Sequence, residues 1–270
     1  MDRVLSREAE EAEKYYAMEK LKVGIVGISD HAGASFLTGC LARYLANTGK
    51  YRPAVVEFGR GSLFDSYGMD KRFAGRSYFQ FFHALTRNKS IRGRQNMDEG
   101  INWILRSPDE QKLELTFEQK IRLASHSKGD VVLCDFSGNQ EPDRQLLTSM
   151  DQVIVVIDPM PSKMLGGYHL LCSIKEMEQN GGEAVIYVIN KLNQGVNRRQ
   201  MLDYLKIKKP VILPLVKAEL IYTAEYNCKI PYTLSEAKSI LQKPLSEIAF
   251  LLDSGLTPPP QERRAAFFIE

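Results

Sequence analysis

The sequence predicts an α/β fold, in which a doubly wound, mainly parallel sheet carries helices on both faces. Short apolar segments of strand character recur between residues 22 and 213 and alternate with segments of helical spacing. These strand segments have no polar residues at alternate positions, so neither of their faces is expected to meet water. Buried strands that alternate with helices are typical of a parallel sheet covered on both sides.

The elements follow one another in a regular order, apart from the stretch between residues 59 and 128. Apolar runs rich in Val and Ile predict strands over 22–28, 54–58, 130–136, 152–158, 184–190 and 210–213. Helical spacing predicts helices over 36–46, 113–126, 163–179, 198–205 and 234–252. Pro244 is expected to break or to start the last of these helices.

One large domain is expected over 21–256, because no linker rich in Gly, Pro or Ser divides the strand segments. A solvated helical extension is predicted over 1–20, where Glu, Ala and Lys dominate, and residues 257–270 are predicted to form a tail.

Composition narrows the class of protein. Of 270 residues, 44% are hydrophobic and 26% are charged, which is ordinary for a globular protein, and a net charge of +3 neither favours nor excludes nucleic acid.

The charged N-terminus has no apolar core, so we expect no signal peptide, and no apolar run approaches the roughly 20 residues of a membrane-spanning helix. The four cysteines lack metal-ligand spacing and are expected to be buried free thiols. We therefore expect a cytoplasmic protein that is peripheral to membranes at most.

A loop of small residues, GISDHAGAS, occupies residues 27–35 between the first strand and the first helix. This arrangement presents backbone N–H groups at a helix N-terminus, where they bind phosphate. Against the pattern G-x-x-x-x-G-K-[ST], Gly33 is in place and Ser35 supplies the hydroxyl that holds magnesium. Ala34 replaces the lysine, the opening glycine is displaced by one position, and Asp30 adds a negative charge. Tight packing at a strand–helix turn is the alternative interpretation of these small residues.

The chain resembles the MinD/ParA family of deviant P-loop ATPases over nearly its whole length, with the motifs in order. The segment KVGIVGISDHAGASFLTGCLARYLA is similar to the first strand, the KGGVGKST loop and the first helix of that family. AVVEFGRGS resembles its second strand, with Glu57 in a slot that usually ends in Asp-x-Asp. GDVVLCDFSG resembles the motif whose aspartate orders magnesium through water, which places Asp135 there. VIYVINKLN resembles a strand that ends in a base-contacting asparagine, here Asn190.

The resemblance implies a P-loop NTPase-like fold, ATP or ADP with magnesium as ligand, protein partners and a homodimer. It assigns the magnesium site to Ser35 and Asp135. It assigns the nucleotide contacts to Ser29, Asp30, His31, Ala32, Gly33, Ala34, Ser35, Phe36 and Asn190.

The departures from the family pattern cluster in the phosphate loop. The signature lysine falls on Ser29, the Walker lysine falls on Ala34, and a family glycine falls on His31. Because a lysine that stabilises developing charge contributes several kcal/mol to catalysis, we expect ATP hydrolysis to be very slow or absent and name no catalytic residue. The nearest subgroup is the TadZ/CpaE group of degenerate MinD-like proteins, which are localisation factors in secretion or Tad-type pilus assembly. The expected role is therefore partner binding in localisation or assembly.

Two alternative functions fit the same sequence. The first is an active ATPase in which Arg60, Lys163 or Lys191 replaces the lost lysine. The second is a DNA-binding partitioning protein that uses the region 71–128, which holds 12 Lys/Arg against 6 Asp/Glu.

Several candidate residues also have plain structural interpretations. Asp135 and Asn190 could cap the turns after their strands, Glu57 could be a solvated strand end, and His31 could be an exposed loop residue without a role. The basic segment over 87–94 is a candidate for holding the phosphates of DNA or of an anionic membrane, and a solvated charged loop is its alternative.

Overall fold

Eight strands form one sheet in the part of the chain that the computed structural model describes, residues 20–60, 62–138, 142–180 and 184–252. In chain order they are β1 (Leu21–Gly27), β2 (Pro53–Glu57), β3 (Met97–Asp98), β4 (Ile101–Ile104), β5 (Val131–Asp135), β6 (Gln152–Ile157), β7 (Ala184–Leu192) and β8 (Val211–Pro214). Their order across the sheet is β3-β4-β2-β5-β1-β6-β7-β8, and every neighbouring pair is parallel except β3 and β4. The predicted doubly wound, mainly parallel sheet is confirmed.

Helices cover both faces of this sheet. In chain order they are α1 (Ala34–Thr48), α2 (Leu63–Ser66), α3 (Met69–Arg72), α4 (Phe81–Thr86), α5 (Phe117–His126), α6 (Arg144–Leu147), α7 (Pro161–Gly166), α8 (Tyr168–Gln179), α9 (Arg198–Leu205), α10 (Ala218–Tyr226) and α11 (Ser235–Leu252). Within the described residues, no helix combines the length and the apolar character that crossing a bilayer requires. The predicted extension before Lys20 and the predicted tail over 257–270 lie outside the described residues.

Two hydrophobic cores flank the sheet, one on each face. Helices α1 and α11 pack on the first core, which includes Val23 and Ile25 of β1. Helices α4, α5, α8 and α9 pack on the second core, which includes Val26 of the same strand. Because successive side chains of a strand point to opposite faces, an unbroken apolar strand feeds both cores, as the sequence pattern predicted.

Two helix predictions differ from the structure. The predicted helix over 163–179 is two helices, because the chain turns at Gly167 beneath the loop after β1. A Cβ atom at Gly167 would lie only 2.2 Å from the carbonyl oxygen of Ile28. The predicted break at Pro244 is wrong, since α11 runs unbroken through this residue. Pro244 is buried within the helix, where packing outweighs the missing N–H donor.

The edge strand β3, its neighbour β4 and helix α10 were not predicted from the sequence. Asn102 interrupts the apolar run of β4, yet it is only 1% exposed. Its side chain accepts a hydrogen bond from Asn96 N (2.9 Å) and donates one to Lys128 O (2.9 Å), so the buried amide is satisfied inside the strand. In α10 the apolar side chains of Tyr222 and Tyr226 face solvent, which hides the helical pattern.

Candidate phosphate-binding site

The loop after β1 lies where a parallel sheet offers a crevice, at the carboxyl ends of its strands. Strand β1 is flanked by β5 and β6, so the loops that follow these three strands meet at one edge. Gly33 adopts a left-handed conformation (φ 96°) and its carbonyl accepts the N–H of Leu37 (3.0 Å), which starts α1. The N–H groups of the first turn, Ala34 to Phe36, have no acceptor within the helix. This end of α1 is therefore suited to an anion.

A cleft of about 850 Å³ opens above this loop. The structure brings the predicted loop residues together, since every residue from Ser29 to Ser35 lines the cleft. Phe36 does not line it, and packs instead against the core beside α1. The remaining lining residues come from the carboxyl end of β1, from neighbouring loops and from α7: Gly27, Ile28, Arg60, Ser62, Ser137, Gly138, Ser162, Lys163 and Gly166.

Ser35, which lines the cleft, contacts the buried Asp135. The hydroxyl of Ser35 donates to Asp135 Oδ2 at 2.7 Å. The other oxygen, Oδ1, accepts from the backbone N–H (3.0 Å) and from the hydroxyl of Ser137. Asp135 is 1% exposed, and burial raises its pKa against the opposing effect of the hydrogen bonds from Ser137 and Ser35. A hydroxyl and a carboxylate at this spacing are the oxygen ligands that magnesium prefers.

Glu57 ends the neighbouring strand β2 and is in register with Asp135. Its solvated interpretation is wrong, because the residue is only 1% exposed. The carboxylate accepts three backbone N–H groups, those of Ser62 (2.8 Å), Leu63 (2.9 Å) and Arg106 (3.0 Å). Burial nevertheless raises the pKa of Glu57 to about 7, with the charge of Asp135 adding to the rise. Glu57 therefore holds the loop after β2 and the segment after β4 together.

The two positions that correspond to family lysines carry no charge and are turned inward. Ala34 is 3% exposed and belongs to the core beneath α1. The hydroxyl of Ser29 is buried and has no hydrogen-bond partner among the described residues. Neither residue can place a positive charge beside a phosphate.

Lys163, which follows β6 on α7, brings a positive charge to the cleft from outside the loop. Its Nζ atom donates to the carbonyl oxygen of Asp30 at 2.9 Å. Among the described residues it forms no salt bridge, so its charge is not neutralised by a carboxylate.

Lys191 is held differently, at the end of β7. Its Nζ atom donates to the carbonyl oxygen of His31 (2.6 Å) and to Oδ2 of Asp158 (2.8 Å). Asp158 is the residue that follows β6. Asp158 therefore neutralises Lys191, and the pair supports the loop. His31 itself is exposed and adopts a left-handed backbone (φ 58°), a conformation that favours glycine.

Several solved structures share this architecture, at 14–15% sequence identity. A chain of the MinC:MinD cell division protein complex of Aquifex aeolicus aligns with 88% of this chain and 97% of its own, at a TM-score of 0.67 and 15% identity. The septum site-determining protein MinD of Pyrococcus horikoshii OT3, complexed with Mg-ADP, aligns with 87% of this chain and 98% of its own (TM-score 0.66, 14% identity). A putative plasmid partition protein of Borrelia burgdorferi B31, bound to AMPPNP, covers 86% of this chain and 99% of its own (TM-score 0.65, 14% identity).

The chain has the MinD/ParA fold. Its neighbours in structure include MinD, a ParA family ATPase and plasmid partition proteins, as the motif order predicted. No protein-family model matches the sequence, and no curated protein does.

Within this MinD/ParA fold, Asn190 lies beneath the loop. Its Nδ2 atom donates to the carbonyl oxygen of Ala32 at 2.8 Å, and its Oδ1 atom accepts the N–H of Lys191 at 2.9 Å. The side chain is 4% exposed. A Cβ atom at Gly33 would lie 2.2 Å from Nδ2, so glycine is required there for close approach as well as for its φ. The structure gives Asn190 a loop-supporting role, and contact with a base stays a prediction.

Ser137, Gly138, Ser162 and Asp158 were not predicted from the sequence to lie at the site. A signal for them was present, because each follows β5 or β6, the strands whose carboxyl ends flank β1. These residues reach the loop because β5 and β6 lie next to β1, and the order of the strands cannot be read from the sequence.

Proposed function

We propose that this protein binds ATP or ADP with magnesium at the β1–α1 loop, hydrolyses ATP very slowly or not at all, and acts by binding protein partners. One observation carries the proposal. The cleft keeps a phosphate cradle and the Ser35–Asp135 pair, while the two positions for loop lysines hold the uncharged Ala34 and Ser29.

The residues present fit a magnesium-bound phosphate group. Gly33 leaves room above Asn190, the first-turn N–H groups of α1 are without helical acceptors, and Ser35 and Asp135 supply oxygen ligands. Bound magnesium would neutralise phosphate charge and orient the ligand. Lys163 also lines the cleft and could supply further positive charge, although its Nζ atom binds the Asp30 carbonyl oxygen.

Hydrolysis demands more than this cradle provides. A single missing donor to the charge that develops in a transition state costs about 10²–10³-fold in rate. Neither Ala34 nor Ser29 carries a cationic donor, so two such losses are expected to combine. Nucleotide binding would depend mainly on backbone N–H groups and on Ser35 with Asp135, so it is expected to persist without the two lysines.

Isothermal titration with MgATP and MgADP, combined with a phosphate-release assay, tests the proposal. We expect saturable binding to the unmodified protein, at least about tenfold weaker binding by Ser35→Ala and by Asp135→Asn, and turnover at background level. Ser239→Ala and Asp203→Asn, which alter exposed side chains away from the cleft, are the matched controls. Rapid phosphate release, or the absence of any binding at millimolar nucleotide, would overturn the proposal.

An active ATPase with a relocated cation is the second candidate, and the place of Lys163 in the cleft favours it. Under that alternative the unmodified protein turns over ATP and Lys163→Gln abolishes turnover. Lys191→Gln should have the smaller effect, because Lys191 is already neutralised by Asp158.

A surface beside the cleft supports the proposed partner binding. Met160 (56% exposed), Leu165 (64%) and Tyr168 (39%) are large apolar side chains on or next to α7, the helix that carries Lys163. We propose that a second copy of the chain binds there when nucleotide fills the cleft, and that the dimer serves localisation or assembly, as in the TadZ/CpaE group. Light scattering with and without MgATP should show a nucleotide-dependent dimer that Leu165→Glu abolishes without loss of nucleotide binding. A monomer under both conditions would contradict this part of the proposal.

A further inference from the structure

A second cleft, of about 470 Å³, lies around helix α4 and shares no lining residue with the first. One wall is the segment that enters α4, and the other is the loop that leaves it. The lining residues are Ser77, Tyr78, Phe79, Gln80, His83, Ala84, Arg87, Lys89, Gly93, Arg94 and Gln95.

The two walls of this cleft are fixed to each other by Asn96, which is 1% exposed. Its Oδ1 atom accepts the N–H of Phe79 at 2.7 Å, and its Nδ2 atom donates to the carbonyl oxygen of Phe79 at 3.0 Å. The loop after α4 is anchored by Ile91, which is 2% exposed, and turns at Gly93 (φ 72°) with a bond from Arg94 N to Ile91 O (3.1 Å). The cleft is therefore built by buried contacts and does not depend on surface side chains for its shape.

The charge in the cleft is positive and uncompensated. No lining residue is acidic, and Arg87, Lys89 and Arg94 have no carboxylate partner in the part of the chain that the structure describes. Nearby, Arg72 and Arg76 behave differently, since Asp98 neutralises both at 2.7 and 2.8 Å. The basic character predicted from the sequence over 87–94 is thus concentrated in a concave site.

The aromatic wall orients one of these cations. The guanidinium carbon of Arg94 lies 5.3 Å from the centre of the Phe79 ring, which holds a planar group over an aromatic face. Phe79 and Tyr78 are half-buried and contribute apolar surface. A planar arginine beside a lysine and an apolar wall suits a phosphate ester that carries an organic group.

We propose that this second cleft binds a small organic phosphate with two or more negative charges, without magnesium. The size favours one small ligand, since sites for such ligands span about 300–1,000 Å³. The concave shape disfavours duplex DNA, which takes up a protruding helix or ribbon in its groove. Among the described residues, none of the exposed large apolar side chains lines the cleft, and this disfavours a lipid surface.

Titration in EDTA, with adenosine 5′-monophosphate and inorganic pyrophosphate as probes, tests the proposal. The variant Arg87→Gln/Lys89→Gln alters two exposed side chains, so the fold should be retained. We expect it to bind both probes at least about tenfold more weakly while binding MgATP at the first cleft unchanged. The control Lys208→Gln/Lys229→Gln removes the same charge from exposed positions elsewhere and should change affinity less than about twofold.

A second pair of variants separates this proposal from the proposed function. Arg60→Gln/Lys163→Gln alters the first cleft and should leave Mg-independent binding at the second intact. Probe binding that survives Arg87→Gln/Lys89→Gln, or an equal loss in the control, would overturn the proposal. A single-stranded 20-nucleotide DNA and vesicles with anionic lipid serve as competing probes. If either bound far more tightly than the monophosphate, and did so through Arg87 and Lys89, the cleft would be reassigned to nucleic acid or membrane and the proposal would be overturned.

Discussion

Replacement of Gly33 by alanine tests whether Asn190 determines the shape of the phosphate loop. The added Cβ would lie 2.2 Å from Asn190 Nδ2, a separation that real Cβ atoms do not tolerate. Asn190 belongs to a rigid strand and is 4% exposed, so its amide must leave its 2.8 Å bond to Ala32 O for the methyl group to fit. Gly33→Ala should therefore disturb both the loop after β1 and the end of β7.

The magnitude has two parts. A non-glycine residue at φ 96° costs about 1–2 kcal/mol in backbone strain. Breaking the buried bond between Asn190 and the Ala32 carbonyl leaves polar groups unsatisfied, at about 1–3 kcal/mol. Gly33→Ala is thus expected to lower the free energy of unfolding by about 3 kcal/mol, which corresponds to a fall in Tm of roughly 6–12 °C for a domain of this size.

A double-mutant cycle with Asn190→Ala isolates the contact. In the Asn190→Ala background the methyl group at position 33 meets no amide, so Gly33→Ala should cost only the strain of about 1–2 kcal/mol. Urea unfolding of the four proteins measures the coupling directly. An equal cost of Gly33→Ala in both backgrounds would refute the inference that Asn190 supports the loop from below.

Three further outcomes are expected. Burial raises the pKa of Glu57 to about 7 from an ordinary 4.5, so the folded state favours the protonated acid. As the pH rises from 4.5 through 7, the unmodified protein should therefore lose about 3 kcal/mol of unfolding free energy relative to Glu57→Gln. A difference that stays constant with pH in urea unfolding would contradict this. Gly167→Ala should destabilise the protein by more than about 2 kcal/mol through its contact with Ile28 O, whereas Gly166→Ala, whose Cβ meets nothing within 4 Å, should stabilise it by up to about 1 kcal/mol in thermal unfolding. Lys191→Gln should raise amide hydrogen exchange in the loop 29–33, and unchanged protection would show that the lysine does not hold it.

Much of the fold could be predicted because its strands are apolar on both faces. The pattern around β1, β5, β6 and β7 contains few polar residues, and the helix over 198–205 was predicted at its observed bounds. The prediction failed where tertiary contacts overrode local pattern. Asn102 made β4 look like a loop, although a hydrogen-bonded amide is tolerated inside a strand, and Gly167 divided a continuous helical pattern because the backbone passes close to Ile28.

The candidate site was predictable only in part, for a physical reason. Gly33 and Ser35 lie two residues apart at the start of α1, so the sequence motif alone could predict that they belong together. The inward burial of Ala34 and the burial of Glu57 depend on packing that the motif does not contain. Lys163 and Lys191 could be named as cations, but what each one contacts depends on the order of the strands in the sheet.

Three successive carbonyl groups of the loop are each held by a side chain from outside it. Lys163 binds the carbonyl of Asp30, Lys191 binds that of His31, and Asn190 binds that of Ala32. Asn190 and Lys191 belong to β7 and Lys163 belongs to α7, so contacts within the protein hold the shape of the loop without a ligand. A preorganised loop binds an anion without the entropic cost of ordering the chain. The same arrangement commits two positive charges to backbone oxygens, and Asp158 neutralises one of them. In this loop, therefore, two lysines from outside it stabilise the backbone, in keeping with the proposal that the site binds phosphate without rapid hydrolysis.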